Sequence, residues 1–230
     1  ILGGAANTDD NVSRQERPEP RIPTGLNLGM PWQWEGDVRA KRALLGFPGW
    51  YDWHWASGGE SYQRMIYSRI PDREWPIIQQ LIRRDPAHLW LVLNEPERAD
   101  QANLSSEEGA AVVRQMVDAG ACVAAPGMIL TVEGLAWLEL YLDADGPVPD
   151  VWAIHLYFCY TPAGIDRALE KWDGWMRRWD VERPTIITEF NAQHLDVGQQ
   201  IVLMRHVAMR LRQAAAARAQ GVDDWLWSAY

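Results

Sequence analysis

The sequence predicts an α/β protein, a compact (β/α)8 TIM barrel with short or missing second and eighth helices. Three observations carry that prediction. Short apolar runs of strand length alternate with stretches of helical periodicity, the order of a parallel α/β fold. Eight such runs are present, which suits a closed barrel better than an open sheet. Two of them, LWLVLNEP (89–96) and PTIITEF (184–190), are apolar along their length and then reach a glutamate, the pattern of a strand buried on both faces with a carboxylate at its C-terminal edge. A doubly wound sheet is the alternative, but no glycine-rich phosphate turn opens any helix.

The elements follow in order. Residues 1–24 carry no periodicity and form an extended lead-in, and residues 25–230 form the barrel. Gly25–Met30 is the first strand, followed by Trp32 and Trp34 in a loop and a short helix over Glu35–Leu45. Phe47–Trp53 is the second strand. Only about ten residues separate it from the third, Tyr62–Tyr67, so the intervening helix is short or missing. A helix over Pro71–Arg84 has Pro at its start and Trp75, Ile78, Leu81 and Ile82 on one face. The fourth strand is LWLVLN, and Pro96 after it biases Glu95 toward extended backbone. Ser105 and Glu108 then make a capping box for the helix that Gly120 ends. Cys122–Pro126, Val151–Phe158, Thr185–Glu189 and Trp225–Ser228 are the last four strands. Helices over Gly134–Leu142, around Trp172, Trp175 and Trp179, and over Val197–Ala219 separate them.

Composition narrows the function. A chain of 230 residues suits one domain with a sizeable core. Its formal charge of −9, with no basic stripe among 22 Lys and Arg, excludes nucleic acid as a partner. No apolar run is long enough to cross a bilayer, so no membrane partner is expected. Cys122 and Cys159 fall at opposite ends of the barrel and are expected as free thiols. The histidines show no metal spacing, and there is no HExxH, paired CxxC, GxSxG or P-loop, so neither a metal nor a cofactor is implied. The 14 Trp against 3 Phe are the oddity. A flat indole with one polar handle suits the CH faces of sugar rings, although most of the tryptophans are expected in the core.

Glu95 and Glu189 end the fourth and seventh strands, so their side chains reach into one cleft from different sides of the barrel. Such a pair can divide into a proton donor and an ionised nucleophile, as a glycosidase requires. Asn94 is placed to bond the sugar hydroxyl beside the reacting carbon, or to serve only as a turn-former before Pro96. His155 and Tyr157 stand two apart in AIHLYF and project to the barrel interior, with Tyr157 able to donate its hydroxyl to Glu189. Trp227, which shares a face with Trp225, would floor the cleavage site, and Trp53 and Trp55 would line further subsites.

NEP, HLY and TEF at the ends of strands four, six and seven, with Trp on strand eight, resemble the retaining glycoside hydrolases of clan A. Within that clan the chain is most similar to glycoside hydrolase family 128, endo-β-1,3-glucanases with a compact barrel. The resemblance implies Glu95 as acid/base, Glu189 as nucleophile, and Tyr157, His155 and Asn94 as supporting residues, with Trp227 as platform. It implies a polysaccharide or oligosaccharide substrate. No cofactor is expected, a barrel with an open cleft works as a monomer, and the expected location is secreted or extracellular, since a leader removed before Ile1 would not show. His54 and Trp55 depart from the family pattern, which leaves mannan, xylan or β-1,4-glucan as alternative substrates and a non-catalytic carbohydrate-binding barrel as an alternative function.

Overall fold

The computed structural model describes residues 17–29, 49–58, 61–190, 194–222 and 224–229. Its strands are β1 (Gly25–Leu26), β2 (Leu28–Gly29), β3 (Trp50–Tyr51), β4 (Met65–Ile66), β5 (Leu89–Val92), β6 (Cys122–Ile129), β7 (Val151–Leu156), β8 (Thr185–Phe190) and β9 (Leu226–Ala229). The described helices are α1 (Trp75–Arg84), α2 (Ser106–Asp118), α3 (Val132–Asp143), α4 (Pro162–Trp179) and α5 (Val197–Ala219). The helix expected over 35–45, with Trp32 and Trp34, lies outside the described residues.

All strand pairs are parallel, in the order β1-β9-β8-β7-β6-β5-β4, with β2 paired to β3. Only Asn27 separates β1 from β2, so one segment pairs with the last strand on one side and the second expected strand on the other. A bridge between Trp50 and Tyr62, with Gln63 N–H donating to the Trp50 carbonyl at 2.9 Å, joins β3 to the segment that becomes β4. The pairing thus runs through all eight expected strands.

Alternation along the strands creates two cores. Leu89 and Leu91, Cys122 and Ala124, Val151 and Ala153, and Ile186 pack together with Tyr51, Tyr62 and Met65 in the smaller one. Trp90, Val92, Val123, Ala125, Trp152, Ile154 and Ile187 face the other way, into the larger core against the helices. The parity of Val151 and Ala153 continues to His155, which is why that histidine turns inward at the C-terminal end of β7.

Local chemistry explains the helix boundaries. Ser105 and Glu108 form the expected capping box, and Asp196 with Gln199 forms a second at α5. Helix α1 begins at Trp75 rather than Pro71: residues 71–74 form a turn, and it is Pro76 that occupies the first helical turn. No helix lies among the described residues between β3 and β4, as the short connection requires. Residues 17–24 run across the N-terminal ends of the strands, where Arg17 Nη1 donates to the Ala121 carbonyl at 2.6 Å and Arg21 N–H to that of Ala87 at 2.9 Å. Cys122 and Cys159 are both free. No described helix is long and apolar enough to cross a membrane.

Candidate active site

Strand β5 stops at Val92, and the residues after it turn at the barrel rim. Leu93 and Glu95 both adopt positive φ, 70° and 44°. The expected extended backbone at Glu95 is therefore corrected. The bias from Pro96 is overridden by tertiary bonds: Glu95 N–H donates to the Gly127 carbonyl at 2.6 Å, and Gly127 N–H to the Leu93 carbonyl at 3.2 Å. Gly127 is required for this approach, since a Cβ there would lie 2.7 Å from the Leu93 oxygen and 3.2 Å from His155 Nε2.

The turn delivers a buried Glu95 carboxyl to His155, whose Nδ1 lies 2.9 Å from Glu95 Oε1. Arg98 Nε stands 3.3 Å from the other oxygen. Register pairs His155 with Glu189 across β7 and β8, and His155 Nε2 lies 3.8 Å from Glu189 Oε1. One ligand-capable atom from each of Glu95, His155 and Glu189 falls within 4.8 Å of the others. The Glu189 and Glu95 oxygens already face N–H and O–H donors, so the trio is better furnished to move protons than to hold a cation.

Glu189 keeps different company from Glu95. Its Oε2 accepts the Tyr157 hydroxyl. Its Oε1 accepts Trp53 Nε1–H at 2.5 Å and shares the one Tyr51 hydroxyl proton, at 3.1 Å, with the Thr188 carbonyl at 3.0 Å. All three partners donate, which is the environment of an ionised carboxylate. Burial first, and then the Glu189 charge, push the Tyr157 phenol far up, so it remains a donor throughout the ordinary pH range.

The structure thus brings Glu95, Glu189, His155 and Tyr157 together. Asn94 is buried beside them, with Nδ2 3.2 Å from Gln101 Oε1 and its own Oδ1 without a partner among the described residues. Trp53 is expected as a subsite wall, and its indole N–H bonds the Glu189 carboxylate. Trp55 donates to Glu74 Oε2 at 2.9 Å and has no described contact with the pair. Trp227 lies in β9, and its side chain falls outside the described atoms. Tyr51 and Arg98 are the additions. Tyr51 shares the parity of Trp53 in WYDW, and Arg98 follows Glu95 by three residues; these spacings are the signals that could have found them.

A parallel barrel with two glutamates facing each other at its C-terminal rim defines a glycoside hydrolase. The comparisons agree. Residues 29–224 match the family described as glycosyl hydrolase catalytic core, and the chain belongs to that family. Its fold is similar to that of a curdlan-specific exo-β-1,3-glucanase of glycoside hydrolase family 128 from Blastomyces gilchristii, at 19% identity and a TM-score of 0.69 over 90% of this chain and 89% of the other. An endo-β-1,3-glucanase of the same family from Amycolatopsis mediterranei, solved with laminaripentaose, shows 19% identity and a TM-score of 0.64 over 90% and 88%. Another, from Sorangium cellulosum, shows 18% and 0.63 over 90% and 87%. No curated protein sequence matches the chain.

Proposed function

We propose that the protein is a retaining glycoside hydrolase that cuts β-1,3-glucan within the chain, with Glu189 as nucleophile and Glu95 as acid and then base. The observation that carries this reading is the approach of a Glu95 oxygen and a Glu189 oxygen to within 4.8 Å. Retaining enzymes hold their carboxyl groups about 5–5.5 Å apart, whereas inverting ones need about 6.5–9.5 Å to seat a water. The substrate class is supported by the similar folds above, whose enzymes act on β-1,3-glucans, two of them as endo- and one as exo-glucanases.

The chemistry follows from the partners of each group. A Glu189 oxygen attacks the anomeric carbon as the glycosidic C–O bond breaks, and Glu95 gives its proton to the leaving oxygen. In the second step Glu95 takes a proton from water, the water oxygen bonds the anomeric carbon, and Glu189 departs as a carboxylate. His155 suits a group that must be acid and then base, because the line from its Nδ1 to Glu95 Oε1 can carry one proton at either end. Tyr51, Trp53 and Tyr157 fix the nucleophile and receive its charge again when it leaves. Such a polymer is met outside the cell, so we read the protein as secreted. One chain supplies the whole pair, so we read it as acting as a monomer.

The test is hydrolysis of a panel of β-1,3-, β-1,4- and mixed-linkage glucans, mannan and xylan, with products sized. Internal oligosaccharides released from β-1,3-glucan, and loss of that activity in Glu189→Ala, are expected. Release of single glucose units would make the enzyme an exo-glucanase, turnover of mannan or xylan alone would overturn the substrate, and binding without turnover would leave a carbohydrate-binding barrel.

A further inference from the structure

The segment after β7 carries a line of rings away from the catalytic pair. Tyr157 bonds Glu189, and its ring lies 6.4 Å from that of Phe158. Phe158 lies 6.4 Å from Tyr160, and Tyr160 lies 6.4 Å from His194 in the segment after β8. These contacts are edge-on, with interplanar angles of 73°, 85° and 79°. No two of these rings stack face to face. Phe158 is 59% exposed and Tyr160 38%, the only Phe, Tyr or Trp rings among the described residues that are so open to solvent.

Phe158 also has a φ of 64°, a backbone state that a bulky residue avoids. Neither feature helps folding: the ring gains little burial and the backbone is strained. Both occur beside the residue that holds the nucleophile, on the rim where the strands end. A polymer lying across Glu95 and Glu189 must leave the cleft over this rim. An uncharged pyranose with an apolar CH face is the occupant that suits flat, uncharged rings there.

We infer that Phe158 and Tyr160 form a sugar-stacking position that takes a glucosyl unit outside the cleaved linkage. The inference rests on the β-glucan reading above, and it assigns to Phe158 part of the preference for longer chains.

The test measures kcat and KM for the wild type, Phe158→Ala, Phe158→Leu and Phe158→Gly on β-1,3-linked oligosaccharides from the trimer to the hexamer. Phe158→Ala is expected to raise KM for the hexamer roughly tenfold, the order of one ring contact, with a smaller effect on the trimer and a changed product pattern. Phe158→Leu should behave like Phe158→Ala, since it keeps apolar bulk and loses the flat face. Phe158→Gly should show the same KM effect with Tm unchanged or raised, because it relieves the positive φ. Unchanged KM and products at every length would overturn the proposal. Equal losses in kcat at every length, or a fall in Tm in all three variants, would also overturn it, since the ring would then act through Tyr157 or through the fold. If the wild type cleaves no β-1,3-glucan, calorimetry with the hexamer separates the two claims: binding weakened by Phe158→Ala upholds the stacking position alone, and no binding overturns both.

Discussion

Glu189 is held by three donors divided unequally between its two oxygens, and the division sets a measurable hierarchy. Tyr157 is the described partner of Oε2, while Tyr51 and Trp53 share Oε1. Tyr157→Phe therefore strips one oxygen, whereas Tyr51→Phe leaves the indole in place. A hydrogen bond to a charged group contributes about 1.5–3 kcal/mol. When Glu189 leaves as a carboxylate in the second step, that loss becomes a fall in kcat of about 10- to 150-fold for Tyr157→Phe. Tyr51→Phe should cost only about 1 kcal/mol, or roughly fivefold, because a second donor remains on the same oxygen and the Tyr51 proton is shared with the Thr188 carbonyl. Initial rates on β-1,3-glucan, with circular dichroism to check folding, give both values. Retention of more than half of the wild-type kcat by Tyr157→Phe, or a larger loss in Tyr51→Phe, would refute the assignment of donors to oxygens.

Three further outcomes are expected. Gly127→Ala forces a methyl against the Leu93 carbonyl and His155, so it should lower stability by about 1–3 kcal/mol and activity with it; an unchanged urea midpoint would contradict the packing. Burial, and then the Arg64 charge, push His88 from 6.5 down to about 4. Its neutral form is favoured in the fold, so the stability present above pH 6.5 is lost as pH falls toward 4, by about 3 kcal/mol in full. His88→Gln should flatten that decline in urea midpoints between pH 7 and 4.5, and parallel curves would refute it. Burial raises the carboxyl of Glu97, whose Oε1 accepts the Ile129 N–H at 2.8 Å while Oε2 has no partner among the described residues. Its contribution to stability is present below the unfolded pKa and lost as pH rises through the folded one. Glu97→Gln keeps the acceptor without the charge, so it should unfold at higher urea than the wild type at pH 8, with the difference closing toward pH 4.

The legible part of the site is the part written along single strands. Glu95 and Glu189 end apolar runs, which puts them at the rim, and His155 and Tyr157 share one parity; strict alternation would turn Glu189 the way of Ile187, and it is the register shift past Thr188 between β7 and β8 that brings it beside His155. The fold was readable for the same reason, down to the missing helix in a connection too short to hold one. What failed depended on contacts between strands. Pro96 argues for an extended Glu95, yet the bonds to Gly127 on the neighbouring strand impose a positive φ that no local preference foretells. The bond of Trp53 to the nucleophile is equally hidden along one strand: tryptophan suits sugars, and the residues after β3 also turn its N–H toward a carboxylate more than a hundred residues away in sequence. Arg98 lies in a loop, and its spacing of three from Glu95 becomes a usable signal only once the turn after β5 is known.

The claim on which the account turns is that Glu189 bonds the sugar while Glu95 passes the proton. Proton NMR of the first product released from a β-1,3-linked oligosaccharide, recorded before mutarotation, tests it most directly. The β-anomer should appear first. An α-anomer appearing first would mean direct attack by water, and the roles given to both glutamates would be wrong.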